Sequence, residues 1–221
     1  MLILATDTSG KHGSIALARC GAGADCDIIE VVPLEGGMFS AQLVPQISAL
    51  LAKHQFQKED ISGFAVGSGP GSFTGLRVGL AAIKALAEAL AKPIATVSLL
   101  EAIAVSSGMK GVLSVALDAG RNEVYLGEYN VGTTPKMLRE SLLSRDEFLS
   151  SARNSQVISP DKSIAGLARS AGLKTAEVER PRSDVIARLG WRKIQCGETV
   201  SPALLDANYI RRSDAEIFAK S

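Results

Sequence analysis

Residues Val66–Leu90 read VGSGPGSFTGLRVGLAAIKALAEAL, a glycine-rich turn running straight into a long alanine-rich stretch. A turn of this kind either cradles a phosphate or starts the helix behind it. The two common phosphate signatures do not fit. A P-loop needs G-x-x-x-x-G-K-[ST], and no Lys follows a glycine here at that spacing. G-x-G-x-x-G fails as well, because its last position falls on Ser72 counted from Gly67 and on Thr74 counted from Gly69. Gly69, Pro70 and Gly71 predict a tight turn, with Ser72 or Thr74 as the helix cap. Free amides at that helix start attract anions, but Arg77, one turn in, is the single cation placed to complete a clamp. Capping is the better supported reading.

The helix has two apolar faces. Leu76, Leu80, Ile83, Ala87 and Leu90 share one side at 100° per residue, and this large stripe is expected to cover a sheet. Val78, Ala82, Ala85 and Ala89 lie nearly opposite, with Arg77, Lys84 and Glu88 between them. Small side chains on that second face let another helix approach closely. The approaching helix comes either from this chain or from a partner; periodicity alone leaves both open.

Working outward, Met1–Thr8 reads as a strand, GKHG as a turn, and Ser14–Cys20 and Asp27–Leu34 as two further strands. Ser40 reads as the N-cap of AQLVPQISALLAKH, with Pro45 in its first turns and Leu43, Ile47, Leu50 and Leu51 as its apolar face. A buried strand GFAVG, the opening stretch, a strand PIATVSL and a helix LEAIAVSS follow. A meander followed by βα alternation implies a mixed sheet flanked by helices. The second half begins the same way: VLSVALDAGRNEVYLGEYN can be laid over LILATDTSGKHGSIALAR, with Asp118 in the place of Asp7. A third strand (Met137–Leu143) and a helix from Arg145 continue the parallel. The expected architecture is therefore α/β, with two related subdomains over residues 1–99 and 100–221. Residues 156–197 are charged and less periodic, so the second copy reads as degenerate.

Of 221 residues, 46% are hydrophobic and 21% charged, and the net charge is +1. Nothing global steers such a chain toward nucleic acid or an acidic surface. The N-terminal MLILATDTSG lacks a basic region and reads as a strand instead of a signal peptide, and the apolar run Val78–Ala91 is interrupted by Lys84 and Glu88. The three cysteines are Cys20, Cys26 and Cys196. Cys20 and Cys26 flank GAGAD and can face each other across a hairpin, but the odd, sparse count argues for free thiols in a reducing cytosol. His12 and His54 are the only histidines and both read as solvated surface, which leaves no metal site of ordinary ligands. No G-x-S-x-G nucleophile elbow surrounds Ser68.

The doubled unit resembles the actin, sugar-kinase and Hsp70 superfamily, whose halves are RNase H-like. Within it, ILATDTS, GSGPGSFTGLRVGLAAIKALAEAL, LDAGRNEVY and ANYIRR, in that order along nearly the whole chain, resemble the TsaB (YeaZ) family. The GPGSFTGLR block is the specific motif; the other three are weak alone. The resemblance implies a cytoplasmic, non-catalytic subunit needed to make N6-threonylcarbamoyladenosine in tRNA. Its expected partners are TsaD, the ATPase TsaE and, through them, tRNA, with self-association as a homodimer in isolation. It implies pairing through the N-terminal helices, here the Val78, Ala82, Ala85 and Ala89 face. It also implies a vestigial nucleotide cleft around Asp7, Thr8, Ser9, Gly69, Gly71, Ser72 and Asp118, with weak nucleotide binding at most and no required cofactor. A small ATPase or kinase of this fold is the alternative, but the glycine cluster of an adenosine pocket is missing from the second half. A metallopeptidase-like protein is disfavoured by the histidine count. FSA at Phe39–Ala41 stands where many family members have His-Ser-Glu, so that segment's role is open.

Overall fold

The computed structural model describes residues 1–21, 23, 25–208 and 210. The first half runs β1 (Leu2–Asp7), β2 (Gly13–Cys20), β3 (Cys26–Leu34), α1 (Phe39–Lys53), β4 (Ile61–Gly69), α2 (Phe73–Leu90), β5 (Ile94–Ser98) and α3 (Leu99–Ser106). The second runs β6 (Gly111–Gly120), β7 (Glu123–Val131), β8 (Lys136–Ser144), α4 (Arg145–Ser151), β9 (Gln156–Ser159), α5 (Lys162–Ser170), β10 (Thr175–Glu177) and α6 (Ser183–Gln195). The strands form two five-stranded sheets, ordered β3-β2-β1-β4-β5 and β10-β9-β6-β7-β8. In each, the second strand is antiparallel to its neighbours while the first, fourth and fifth run parallel. The two halves thus share one topology, strand for strand, and the α/β duplication expected from the two Asp-bearing hairpins is present. The second copy is short, with a three-residue β10, but topologically complete.

The chain divides into two units, Met1–Leu99 with Pro181–Ala207 and Leu100–Arg180 with Asn208. This differs from a simple division at residue 99. Pro181–Ala207 returns to the first unit because α6 packs on β1, β2, β4 and β5. Its buried residues Ile186, Ala187, Leu189, Gly190 and Trp191 form the covering face. Gly190 is required there, since a Cβ would overlap that of Ala65.

In the first unit, side chains along β1 alternate between faces. Leu2 and Leu4 join Leu43, Ile47, Leu76, Leu80 and Ile83 in a core beneath α1 and α2. Ile3, on the opposite face, meets the α6 side, where Gly63 lies against the Ile194 and Ile3 methyls. Burial of this kind stabilises by ~1.5–3 kcal/mol per large aliphatic side chain. Helix α1 starts one residue before the expected Ser40 cap: Met38 is the N-cap and makes no side-chain capping bond. Burial of Phe39 fixes the start instead.

The second unit has its own core of Ala116, Val124, Leu126, Phe148, Val157, Ile164 and Ala168. Helix α4 opens with a capping box in which the Ser144 hydroxyl accepts from the Glu147 amide and Glu147 reaches back to Ser144. Among the described residues no helix is long and apolar enough to cross a membrane.

Two expectations are corrected here. Cys20 and Cys26, directly opposed across β2 and β3, are joined in a disulfide; only Cys196 is a free cysteine, and it is exposed. The hairpin that lets the two cysteines face each other decides the pairing, and the odd count argued wrongly against it. His54 is half-buried, with Nε2 2.7 Å from Glu30 Oε2, so it is a partnered side chain at the end of α1.

Candidate functional site

The turn after β1 and the turn before α2 are packed into one another. Asp7 Oδ1 accepts the Ser9 amide at 2.9 Å, closing an Asx turn that aims Thr8 and Ser9 toward the second loop. Thr8 Oγ1 donates to the Gly75 carbonyl at 2.7 Å, and the Ser72 amide donates to the Ser9 carbonyl at 2.7 Å. Asp7, Thr8 and Ser9 are all buried. The fit depends on missing side chains. A Cβ on Gly71 would meet the Ser9 carbonyl oxygen, one on Gly75 the Thr8 carbonyl oxygen, and one on Gly79 the Thr8 hydroxyl, each inside van der Waals contact. On the other face of the sheet, a Cβ on Gly67 would lie 2.9 Å from Asp7 Oδ1.

The Ser72 amide, which leads into α2, is taken up by this packing. Ser72 is the cap, its hydroxyl accepting from the Gly75 amide at 3.3 Å, while the Leu76 amide reaches the Ser72 carbonyl. Arg77 stacks its guanidinium 3.8 Å above the Phe73 ring. Chemically the loop is a helix start into which a neighbouring turn is plugged. Gly69, which packs against Leu76, adopts a positive φ of 105° that disfavours any other residue.

The second copy repeats the Asx turn. Asp118 Oδ1 accepts the Gly120 amide at 2.9 Å, as Asp7 does for Ser9. The setting differs: Asp118 is exposed, and its own amide donates to Asp161 Oδ2 at 2.8 Å. Asp7, Thr8, Ser9, Gly69, Gly71 and Ser72 are therefore gathered in the first unit, while Asp118 belongs to the second.

Helix α2 turns Leu76, Leu80, Ile83 and Ala87 into the core. Of the expected small-residue face only Ala85 and Ala89 are exposed; Val78 and Ala82 are half-buried and pack against the core of the first unit. Ala81, Arg77 and Glu88 are exposed beside them.

Comparison with known proteins decides the family. The tRNA threonylcarbamoyladenosine biosynthesis protein TsaB of Bacillus subtilis is 30% identical over 98% of this chain and 96% of its own length. The chain belongs to the TsaB family. Its membership places it in tRNA threonylcarbamoyladenosine biosynthesis. The TsaB of Escherichia coli is 35% identical over 58% of the chain and 55% of that protein. A family model described as TsaD, tRNA N6-adenosine threonylcarbamoyltransferase, matches residues 32–186. Among solved structures, YeaZ from Pseudomonas aeruginosa matches with a TM-score of 0.75 at 22% identity, covering 94% of this chain and all of that one. A second P. aeruginosa structure, an uncharacterized protein with similarity to peptidase YEAZ, reaches 0.79 at 22% identity over 95% and 99%. These two show the shared fold.

In this TsaB-family chain the FSA segment acquires a structural account. The ring of Phe39 lies 2.8 Å from where a Cβ on Gly13 would stand and 3.4 Å from one on Gly75. It closes the Asp7–Ser9 turn from the α1 side as an apolar wedge. Of ANYIRR, Tyr209, Arg211 and Arg212 lie outside the described residues; Asn208 Nδ2 donates to Glu140 Oε2 at 2.7 Å, and Tyr129 donates its hydroxyl proton to the other oxygen of Glu140.

Sequence reasoning missed three features of the first unit. The spacing by four of Gly71, Gly75 and Gly79 was visible, the last two on a third face of α2 and the first in the turn ahead of it. The Ser14–Ser183 pair was not: Ser183 donates its amide to Ser14 Oγ at 2.9 Å and its hydroxyl to the Ser14 carbonyl at 2.7 Å across 169 residues. Nor was the grip of Lys53 and His54 on Glu30. Hydrogen bonds from Lys53 first, and His54 second, hold the Glu30 carboxyl below its ordinary pKa of 4.5.

Proposed function

We propose that this chain is a non-catalytic partner of a TsaD homologue, working with the ATPase TsaE to transfer threonylcarbamoyl to adenosine 37 of tRNAs that read codons beginning with A. The observation that carries the reading is the outer face of α2. Ala85 and Ala89 are exposed there on a helix packed from behind by Leu76, Leu80 and Ile83, while Val78 and Ala82 of the same stripe are half-buried against the first unit's own core. A partner helix packs closely against such a face, and a second copy of the chain takes the same place when the partner is absent. The plugged turn supports the rest of the proposal. With the Ser9 carbonyl on the Ser72 amide, that amide is not offered to a phosphate, which supports reading the cleft as vestigial with no required cofactor. The protein works in the cytoplasm, where its tRNA substrate complex is.

Reconstitution tests this. The purified chain alone should transfer no threonylcarbamoyl group, and transfer should appear on adding TsaD and TsaE. Turnover by the chain alone, abolished by Asp7→Ala, would place an active site at the Asp7–Ser9 turn and end the partner reading.

A further inference from the structure

The disulfide-closed end of the β2–β3 hairpin is where α6 is gripped. Arg188 Nη1 donates to the Cys26 carbonyl at 2.6 Å, and the Trp191 indole N–H donates to the Gly23 carbonyl at 3.0 Å. Both acceptors lie within the ring closed by Cys20 and Cys26. Their sequence separations from α6, 162 and 168 residues, make them long-range anchors of the segment that returns to the first unit. The other end of α6 is anchored separately, by Ser183 on Ser14.

We propose that Cys20 and Cys26 are a reversible dithiol–disulfide couple whose oxidation state sets how firmly α6 is held. Three observations support it. The pairing of β2 with β3 extends from Gly13 opposite Leu34 to Cys20 opposite Cys26, so the ladder, and not the covalent bond, keeps the two thiols adjacent when reduced. Both cysteines are almost fully buried, at 1% and 3% exposure, so exchange proceeds through opening of the hairpin end, where the two thiols meet each other before any third one. The Cys26 acceptor is placed by the ladder and the Gly23 acceptor by the ring between the cysteines, so opening the ring loosens the Trp191 contact first.

The chemistry is thiol–disulfide exchange with a low-molecular-weight disulfide such as oxidised glutathione. One protein thiolate attacks a sulfur of the small disulfide, forming a mixed disulfide and releasing one small thiolate. The second protein thiolate attacks the protein sulfur of that mixed bond and expels the other small thiolate. Two protein thiols are oxidised, one small disulfide is reduced to two thiols, and the protons of the protein thiols end on the leaving thiolates.

The chain's one tryptophan is Trp191, so tryptophan fluorescence reports the surroundings of this side chain. In a Cys196→Ser background, the full chain is equilibrated with dithiothreitol or with excess oxidised glutathione. Peptide mapping under non-reducing conditions should show the Cys20–Cys26 cross-link only in the oxidised sample. Acrylamide quenching of Trp191 should rise on reduction, and amide exchange over residues 188–195 should speed by about tenfold and return on reoxidation. A Cys20→Ser, Cys26→Ser double variant should behave as the reduced chain in either buffer; if it fails to fold, the titration of the Cys196→Ser chain alone decides. No cross-link at equilibrium with oxidised glutathione, or a cross-link that leaves quenching and exchange unchanged, overturns the proposal.

Discussion

Replacing Gly75 by Ala is the sharpest probe of the plugged turn. In an ordinary helix interior this change gains ~1 kcal/mol, because Ala is the best helix former and Gly among the poorest. Here the added methyl meets the Thr8 carbonyl oxygen inside van der Waals contact, with the Phe39 ring 3.4 Å away on the other side. The turn has to retreat, which disturbs the Thr8 Oγ1 bond to the Gly75 carbonyl and the Ser72 amide bond to the Ser9 carbonyl. Overpacking costs ~1–3 kcal/mol, and two weakened buried hydrogen bonds add about 1 kcal/mol each. These outweigh the propensity gain and leave a net loss of about 2–4 kcal/mol. Gly166 in α5 is the control: nothing lies within 4 Å of its would-be Cβ, so Gly166→Ala should stabilise by ~0.5–1 kcal/mol. Urea unfolding followed by circular dichroism reads both. The Gly75→Ala midpoint should fall by roughly 1–2 M for a slope of ordinary size. A Gly75→Ala chain as stable as the parent would refute the claim that the glycine row is there to seat the Thr8–Ser9 backbone.

Two further outcomes follow from the same geometry. The lowered pKa of Glu30 means the unfolded chain binds a proton there more readily than the folded one. Its stabilisation is therefore present above pH 4.5 and is lost as pH falls through the depressed folded value. Glu30→Gln should flatten the acid side of the melting temperature against pH curve between about pH 5 and 3, and an unchanged curve would show that Lys53 and His54 contribute nothing through it. As for nucleotide, a working site at a hundredfold excess of ATP over Kd would add ~2.7 kcal/mol. The expected melting shift is negligible; a rise of several degrees that disappears in Asp7→Ala would show that the Asp7–Ser9 turn still binds phosphate.

Much of the first unit was legible in the sequence because local patterns and tertiary packing agree there. Ser72 caps α2, Ile83 and Leu80 point inward, and the two Asp-bearing hairpins match in topology and in their Asx turns. What escaped depends on distant residues. The return of α6 to the first sheet turns on Gly190 meeting Ala65, a contact that no local window contains. The start of α1 was misplaced because Ser40 has the chemistry of a cap, while burial of Phe39 sets the boundary. The cysteine pair is different: its facing across the hairpin was legible, and only the weight given to the odd count hid the bond. The glycine row at 71, 75 and 79 was readable but was masked by the apolar stripes on either side of it.

The most direct test of the partner reading is the pair Ala85→Glu and Ile83→Glu, assayed by circular dichroism and by binding to a TsaD homologue. Ala85 is exposed on the outer side of α2, and Ile83, two residues away, is fully buried. Glu at position 85 is a good helix former in solvent, so the fold should be unaffected. In a dry helix–helix interface it leaves an unpaired charge, costing ~3–5 kcal/mol, more than a hundredfold in affinity. Ile83→Glu should instead unfold the first unit from within. The account predicts a folded Ala85→Glu chain that no longer binds TsaD. A folded Ala85→Glu chain that binds TsaD as tightly as the parent would contradict it.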